Sequence, residues 1–309
     1  MAYTIVPLSS ENIKDLTFLY KRVFGNKMTL EMVKTKFDTS YLEMSHFGHL
    51  AYDGTLPIAF HGAIPVLMKY KETKILAAQY GDAMTLPDYT GKGLFTKLGK
   101  HTDEQLKKAN ISFVWGFPNQ NSEYGYLNKL DWIYKERMQR FNIKTGTLPI
   151  EKIAKKSALT HRIYDSHILN VFKKYKTQKI IKGSVYTNNE VVSTVRDEAY
   201  YAYKSFTGNF TIELDDVLFW IKIKNGLMIG DIETPSEEKF HIAFEKLKKI
   251  AQNNGIGEIN IQASPNTLIY NLMQRYQTPL DSWVVGFKNF NSDFPLEHLK
   301  LTLGDLDTF

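Results

Sequence analysis

No cysteine occurs anywhere in the 309 residues. That absence excludes disulfide frameworks, thiolate nucleophiles and cysteine-ligated zinc together, and it fits a reducing compartment. Long apolar runs are also missing. The longest, Leu56 to Met68, holds His61 and two prolines and is too short to span a bilayer. Met1 to Val6 shows no basic stretch followed by an apolar core, so no signal peptide is expected. The expectation is a cytoplasmic chain without membrane insertion. His46 and His49 lie three apart, but no further ligand follows at metal spacing, so no metal is expected.

What is present describes a globular protein. Hydrophobic residues make up 43% and charged residues 23%, and the length suits two domains. The 18 Tyr and 19 Phe read as core and cleft wall. A net charge of +6 favours anionic partners without choosing among them. The run Lys173-Lys174-Tyr175-Lys176 reads as a solvated face. No nucleic-acid module signature appears, so no nucleic-acid partner is expected.

Periodicity gives the element order. Residues 3–8 alternate as a strand, and Ser9-Ser10-Glu11 is expected to open a helix along Ile13, Leu16, Leu19, Tyr20 and Val23. Thr29 starts a second helix, to about Met44. Strands are expected at 47–52, 56–70 and 73–86, a helix at 94–108, a strand at 111–115, a short helix at 122–130 and a strand at 132–143. This is an α+β pattern: a mixed, largely antiparallel sheet flanked by helices. Between the third strand of the meander and the long helix lies Asp88-Tyr89-Thr90-Gly91-Lys92-Gly93. A glycine loop before a helix start offers unpaired N–H groups and the positive dipole end, which together suit a phosphate.

The stretch Met84-Thr85-Leu86-Pro87-Asp88-Tyr89-Thr90-Gly91-Lys92-Gly93-Leu94 resembles the pyrophosphate-loop motif of the GNAT superfamily, the GCN5-related N-acetyltransferases. Asn121-Ser122 through Tyr126-Leu127-Asn128-Lys129-Leu130-Asp131-Trp132 resembles that family's helix-to-final-strand motif. The resemblance implies acyl-CoA as cosubstrate, its pantetheine lying where two strands splay apart. Carried over residue by residue, it implies cofactor contacts from Met84, Thr85, Leu86, Thr90, Gly91, Lys92, Gly93, Leu94, Phe95, Thr96, Asn119 and Asn121. Thr90 and Phe95 depart from the family pattern, and Phe95 is expected to narrow the loop. The family's thiolate-protonating Tyr aligns with Leu127, leaving Tyr126, one position earlier, as the candidate acid, with Tyr124 three positions earlier as the other nearby phenol.

The second half repeats the order. A hairpin turns at Asn225-Gly226, followed by helix, strand, helix and strand up to Phe290. It reads as a second, degenerate GNAT-like half. Its loop, Thr234-Pro235-Ser236-Glu237-Glu238, would repel a pyrophosphate, so one cofactor site per chain is expected. The expected domains are 1–145 with the acyl-CoA site, a basic linker at 146–182, and 183–309 walling the acceptor cleft.

The tandem halves, the lead-in Gly81-Asp82-Ala83-Met84-Thr85 and the turn Gly116-Phe117-Pro118-Asn119 are similar to bacterial sugar N-acyltransferases. That likeness implies a small-molecule amine acceptor, a nucleotide-linked deoxyamino sugar, in a monomer or homodimer. Other acceptor amines, aminoacyl transfer and a non-catalytic CoA sensor are the alternatives. For a base, pairing Tyr70 with Thr73 across a two-residue turn sets His61 opposite Asp82, an expected catalytic dyad unless a bulge intervenes.

Overall fold

The computed structural model describes residues 3–25, 28–185 and 190–309. Met1 and Ala2, part of the leader reading, lie outside the described residues. The first half runs β1 (Thr4–Pro7), α1 (Asp15–Leu19), α2 (Leu30–Phe37), β2 (Phe47–Asp53), β3 (Leu56–Tyr70), β4 (Thr73–Thr85), α3 (Leu94–Lys108), β5 (Phe113–Gly116), α4 (Glu123–Lys129) and β6 (Ile133–Lys144). Then follow α5 (Ile150–Ala154), α6 (Ala158–Lys173), β7 (Lys176–Thr177), β8 (Ser193–Thr194) and α7 (Glu198–Lys204). The chain ends with β9 (Phe210–Leu214), β10 (Val217–Ile223), β11 (Leu227–Glu233), α8 (Glu237–Asn253), β12 (Glu258–Ala263), α9 (Leu268–Met273) and β13 (Leu280–Asn289).

Most expected elements form within a few residues of their sequence bounds. The first helix does not. Ser9 caps nothing with its side chain; its amide instead donates to Asn12 Oδ1 at 2.8 Å. The α-helix begins only at Asp15 and passes into a π-helical turn, Tyr20–Phe24, ended by Gly25 at φ 66°. Thr29 does cap α2, accepting from the Met32 amide, but the helix ends at Phe37, well short of the expected Met44, and only a 3-10 turn at Ser40–Leu42 follows.

Two compact units result: Met1–Glu136 with Val192–Val195 and Trp283–Leu299, and Arg137–Val191 with Arg196–Ser282 and Lys300–Phe309. These bounds differ from sequential domains cut at 145 and 182. The reason is strand pairing. In the first unit the C-terminal strand β13 pairs antiparallel with β5, from Gly286↔Gly116 to Asn289↔Phe113. In the second unit the Gln139–Lys144 part of β6 pairs antiparallel with β12.

The first unit carries the strand order β1-β2-β3-β4-β5-β13, with β8 beside β3. A core of Phe47, Tyr80, Leu106, Val114, Tyr126, Leu130 and Trp132 fills the α3–α4 face. The second unit orders β12-β11-β10-β9-β7, and α8 packs on it through Phe240, Phe244 and Leu247, with Phe240 against Phe219. There, Arg196 is buried and ion-paired with Asp231 and Asp305. A buried guanidinium stays charged only with such partners. Each unit is thus a largely antiparallel sheet flanked by helices.

Candidate active site

β3 and β4 form a tight hairpin over Lys71-Glu72. The register expected from that turn holds from Tyr70↔Thr73 to Gly62↔Gly81. It then slips by one, so that Phe60 faces Met84 and Ala59 faces Thr85. Asp82 and Ala83 therefore stand opposite the single residue His61, a β-bulge. Asp82 takes φ 60°, a left-handed conformation that aspartate tolerates better than most residues.

The bulge undoes the expected His61–Asp82 dyad. Asp82 turns to the helices that precede the sheet. Tyr20 in the π-helical turn donates its hydroxyl hydrogen to Asp82 Oδ2, and the Lys36 ammonium of α2 pairs with the same oxygen. Lys36 is only 1% exposed. Sequence reasoning missed both partners. A signal existed: Lys36 lies three residues after Val33 and beside Phe37, a cation on the apolar stripe of a helix.

His61 turns to the opposite face. It is fully buried, and its Nε2 lies 3.1 Å from the Tyr126 hydroxyl oxygen. Its Nδ1 has no hydrogen-bonding partner among the described residues. The rings of Tyr80, Phe95 and Tyr126 stand edge-on around it, with centroids at 4.7, 5.6 and 5.8 Å. Burial, with His49 nearby, pushes its pKa down to about 3. A histidine neutral to that pH is no general base for an ammonium. Burial likewise pushes the Tyr126 phenol well up, aided by Asp103 and Asp82.

This burial has a measurable consequence. The unfolded chain protonates His61 near its ordinary pKa of 6.5 and the native chain does not. Stability is therefore full above that pH and is lost as pH falls through the window toward 3, by about 1.4 kcal/mol per pH unit. Denaturant unfolding at descending pH should show wild type losing stability more steeply than His61→Gln. Parallel pH profiles would contradict the buried neutral assignment.

On its other edge β4 loses its ladder partner before the bulge. β4 pairs in parallel with β5 only at Ala78↔Val114 and Gln79↔Trp115, whereas β4 runs on to Thr85. A Cβ on Gly116 would lie 3.2 Å from the Tyr80 carbonyl oxygen, so the backbones are still close at Gly116, where β5 ends. The edge of β4 from Gly81 to Thr85 is thus left without β5 as its ladder partner.

At the end of that edge stands the glycine loop. Gly91 and Gly93 have φ 79° and 74°, and a Cβ at either would meet nothing within 4 Å. Their glycine is required by backbone conformation, not by crowding. Gly93 occupies the N-cap of α3 without a side-chain cap, and the first helical bond runs from the Lys97 amide to the Gly93 carbonyl. The amides of Leu94, Phe95 and Thr96 consequently have no intrahelical acceptor. Lys92 rests its ammonium 4.4 Å from the Tyr89 ring centroid, and the Tyr89 hydroxyl donates to Asp53 at 2.8 Å.

Phe95 does not narrow the loop. Its ring packs on Gly125, where a Cβ would come within 2.5 Å, and on Tyr126 at 4.9 Å between centroids. It wedges α3 against α4 instead. Met84, Leu86 and Leu94 are buried, Thr85 and Thr96 half-buried, and Thr90 and Lys92 exposed. Asn119 is exposed and serves its own turn: its carbonyl accepts from the Ser122 and Glu123 amides and its side chain from the Asn121 amide at 2.9 Å.

In the second unit the start of α8 is capped by a side chain. Ser236 caps α8 by accepting from the Lys239 amide at 3.2 Å, and Glu237 and Glu238 occupy the first turn. Calorimetry should accordingly give one acyl-CoA per chain, unchanged in Glu237→Ala and Glu238→Ala. A stoichiometry of two would contradict the single-site reading.

Residues 4–134 match the family model of an acetyltransferase (GNAT) domain. Among curated protein sequences none matches the chain. Among solved structures, the chain is similar to a GCN5-related N-acetyltransferase from Kribbella flavida, with TM-score 0.58 and 11% identity over 93% of this chain and 72% of that one. It is similar to a GCN5-related N-acetyltransferase from Anabaena variabilis, at 0.56 and 14% over 93% and 73%. It is also similar to the Saccharomyces cerevisiae N-myristoyltransferase solved with bound myristoyl-CoA, at 0.56 and 10% over 94% and 84%. At such identities the structural likeness establishes the fold.

Proposed function

We propose, from the premise that residues 4–134 are a GNAT acetyltransferase domain and the chain an acyl-CoA-dependent N-acyltransferase, that its acceptor is the amino group of a nucleotide-linked deoxyamino sugar, the dTDP or UDP form. The observation that carries the transfer chemistry is the bulged end of β4, paired with β3 but not with β5, running from Asp82 into the glycine loop. The acyl-CoA pyrophosphate would sit on the amides of residues 91–96. The thioester would lie along the β4 edge, where the backbone N–H groups near Thr85 face the developing oxyanion. Two features support the acceptor class: the net charge of +6 suits a nucleotide diphosphate, and the tandem halves and the lead-in to the loop resemble sugar N-acyltransferases.

In the reaction the neutral amine attacks the thioester carbon, a C–N bond forms and the C–S bond breaks. No covalent enzyme intermediate is needed, and holding both substrates in line supplies much of the rate. Asp82, on the α1–α2 face, is the carboxylate placed to receive the amine proton, held by Tyr20 and Lys36. Tyr126 serves the sulfur. Its raised pKa makes it a hydrogen-bond donor to the departing thiolate more than a source of a free proton; the sulfur then takes the proton shed by nitrogen through solvent. His61 positions this phenol. A hydrogen on Nδ1 would be a buried donor with no acceptor, so the hydrogen belongs on Nε2, facing the Tyr126 oxygen. That leaves the phenol hydrogen for the sulfur.

A panel of acyl-CoAs against amines, read by thiol release, tests the acceptor class. The amino-sugar nucleotide should exceed the free amino sugar in kcat/KM by about a hundredfold, the order expected when a nucleotide handle is bound in the transition state. Equal values for both would discard the nucleotide.

A further inference from the structure

On the second unit, α5, α6 and the residues leading into them present an apolar ridge to solvent. Leu148, Ile150 and Ile153 are 76%, 46% and 55% exposed, and Leu159 and Ile163 are 68% and 60% exposed. The two helices already reach the unit's core through Ala154, Tyr164, Ile168 and Phe172. The ridge is therefore a second apolar stripe, additional to the one that folding requires. A shallow groove of about 420 Å³, walled by Ile150, Ile153, Ala154, Ile163 and Tyr164, runs along it. Isolated exposed leucines need no explanation, but five large apolar side chains within so short a stretch do.

Charge accompanies the ridge. Lys152, Lys155, Lys156 and Arg162 are all exposed within the same stretch. Two carboxylates accompany them, Glu151, which is 4% exposed, and Asp165, which lies 2.9 Å from His161 Nδ1, so cations remain in excess. Apolar tips flanked by cations form the pattern of an element that lies in a lipid interface.

We propose that this face of the second unit docks on an anionic lipid surface. The apolar side chains enter the boundary between headgroups and acyl chains, and the lysines and arginine meet lipid phosphates. A second copy of the chain is a poor occupant, because it would set four cations against four. A lipid surface needs no matching shape and no buried hydrogen-bond partners, which suits side chains that project singly. Among the described residues no helix is long and apolar enough to cross a membrane, so the contact lies on the surface. The proposal is independent of the reading of catalysis.

Co-sedimentation of the full chain with vesicles tests it. The chain should bind vesicles of phosphatidylcholine mixed with phosphatidylglycerol, should not bind phosphatidylcholine alone, and should lose binding at high salt. Replacing Lys152 and Lys156 with glutamine should weaken association about fivefold per cation. Ile153→Asp with Ile163→Asp should weaken it about tenfold or more. Leu159→Gln, at a position in neither the core nor the groove, should act in the same direction should the double variant unfold, as read by circular dichroism. Absence of binding to the mixed vesicles at low salt would overturn the proposal. So would binding that survives the apolar substitutions, or self-association of wild type that those substitutions abolish.

Discussion

Gly93→Glu should abolish acyl-CoA binding while the protein stays folded, and Gly91→Glu should do the same. Two effects act together. Both positions hold a left-handed φ that a side chain strains, at roughly 1–2 kcal/mol. Yet the space around each is open, so no clash unfolds the domain. The carboxylate then stands at the start of α3, where the amides of Leu94 to Thr96 have no intrahelical acceptor. It satisfies those amides and repels the pyrophosphate that would otherwise take them. Calorimetry with acetyl-CoA should show no heat of binding in either variant, with melting temperatures within a few degrees of wild type. Wild-type affinity in both variants would remove the loop from the cofactor site. Unfolding in both would show that the glycines serve shape alone.

The second large effect is expected at Asp82. Asp82→Asn should lower kcat by roughly a hundredfold, the scale of a general base, with acyl-CoA affinity little changed. Asparagine keeps the shape and tolerates the left-handed bulge, but removes the charge that Lys36 faces. Lys36→Met should share part of the loss and should not add to it fully, because the two side chains act as one pair. By contrast, His61→Gln retains an N–H donor toward Tyr126 and should cost only a few fold, whereas His61→Met, with no donor, should cost more. If Asp82→Asn kept full kcat across neutral pH, the amine would lose its proton directly to solvent.

The sequence carried the fold well where local rules dominate. The hairpin at Asn225-Gly226, the β3–β4 turn and the register from Tyr70 down to Gly62 are set by turn chemistry and alternation, which are local. The glycine loop was legible because two glycines between strand and helix carry a physical demand. The bulge was not. A one-residue slip is not legible in a segment such as Gln79 to Leu86, where Gln79, Gly81, Asp82 and Thr85 leave no strict apolar alternation to break, and it reverses every side-chain direction beyond it. Hence His61 and Asp82, adjacent by simple alternation, face opposite sides of the sheet. The partners they found instead, Tyr126 and the Tyr20–Lys36 pair, come from distant elements with no sequence period linking them. The division into units was hidden for a similar reason: which strand edge β13 joins is decided by tertiary pairing with β5, not by its own residues.

The central claim is that the first unit moves an acyl group from CoA to an amine. Thiol release from acetyl-CoA by the full chain, measured with and without a panel of primary amines, tests it most directly. The account expects release that depends on the amine, saturates in both substrates, and disappears in Gly93→Glu. Tight binding of one acetyl-CoA per chain with no amine-dependent thiol release across the panel would contradict it, leaving a domain that holds the cofactor without using it.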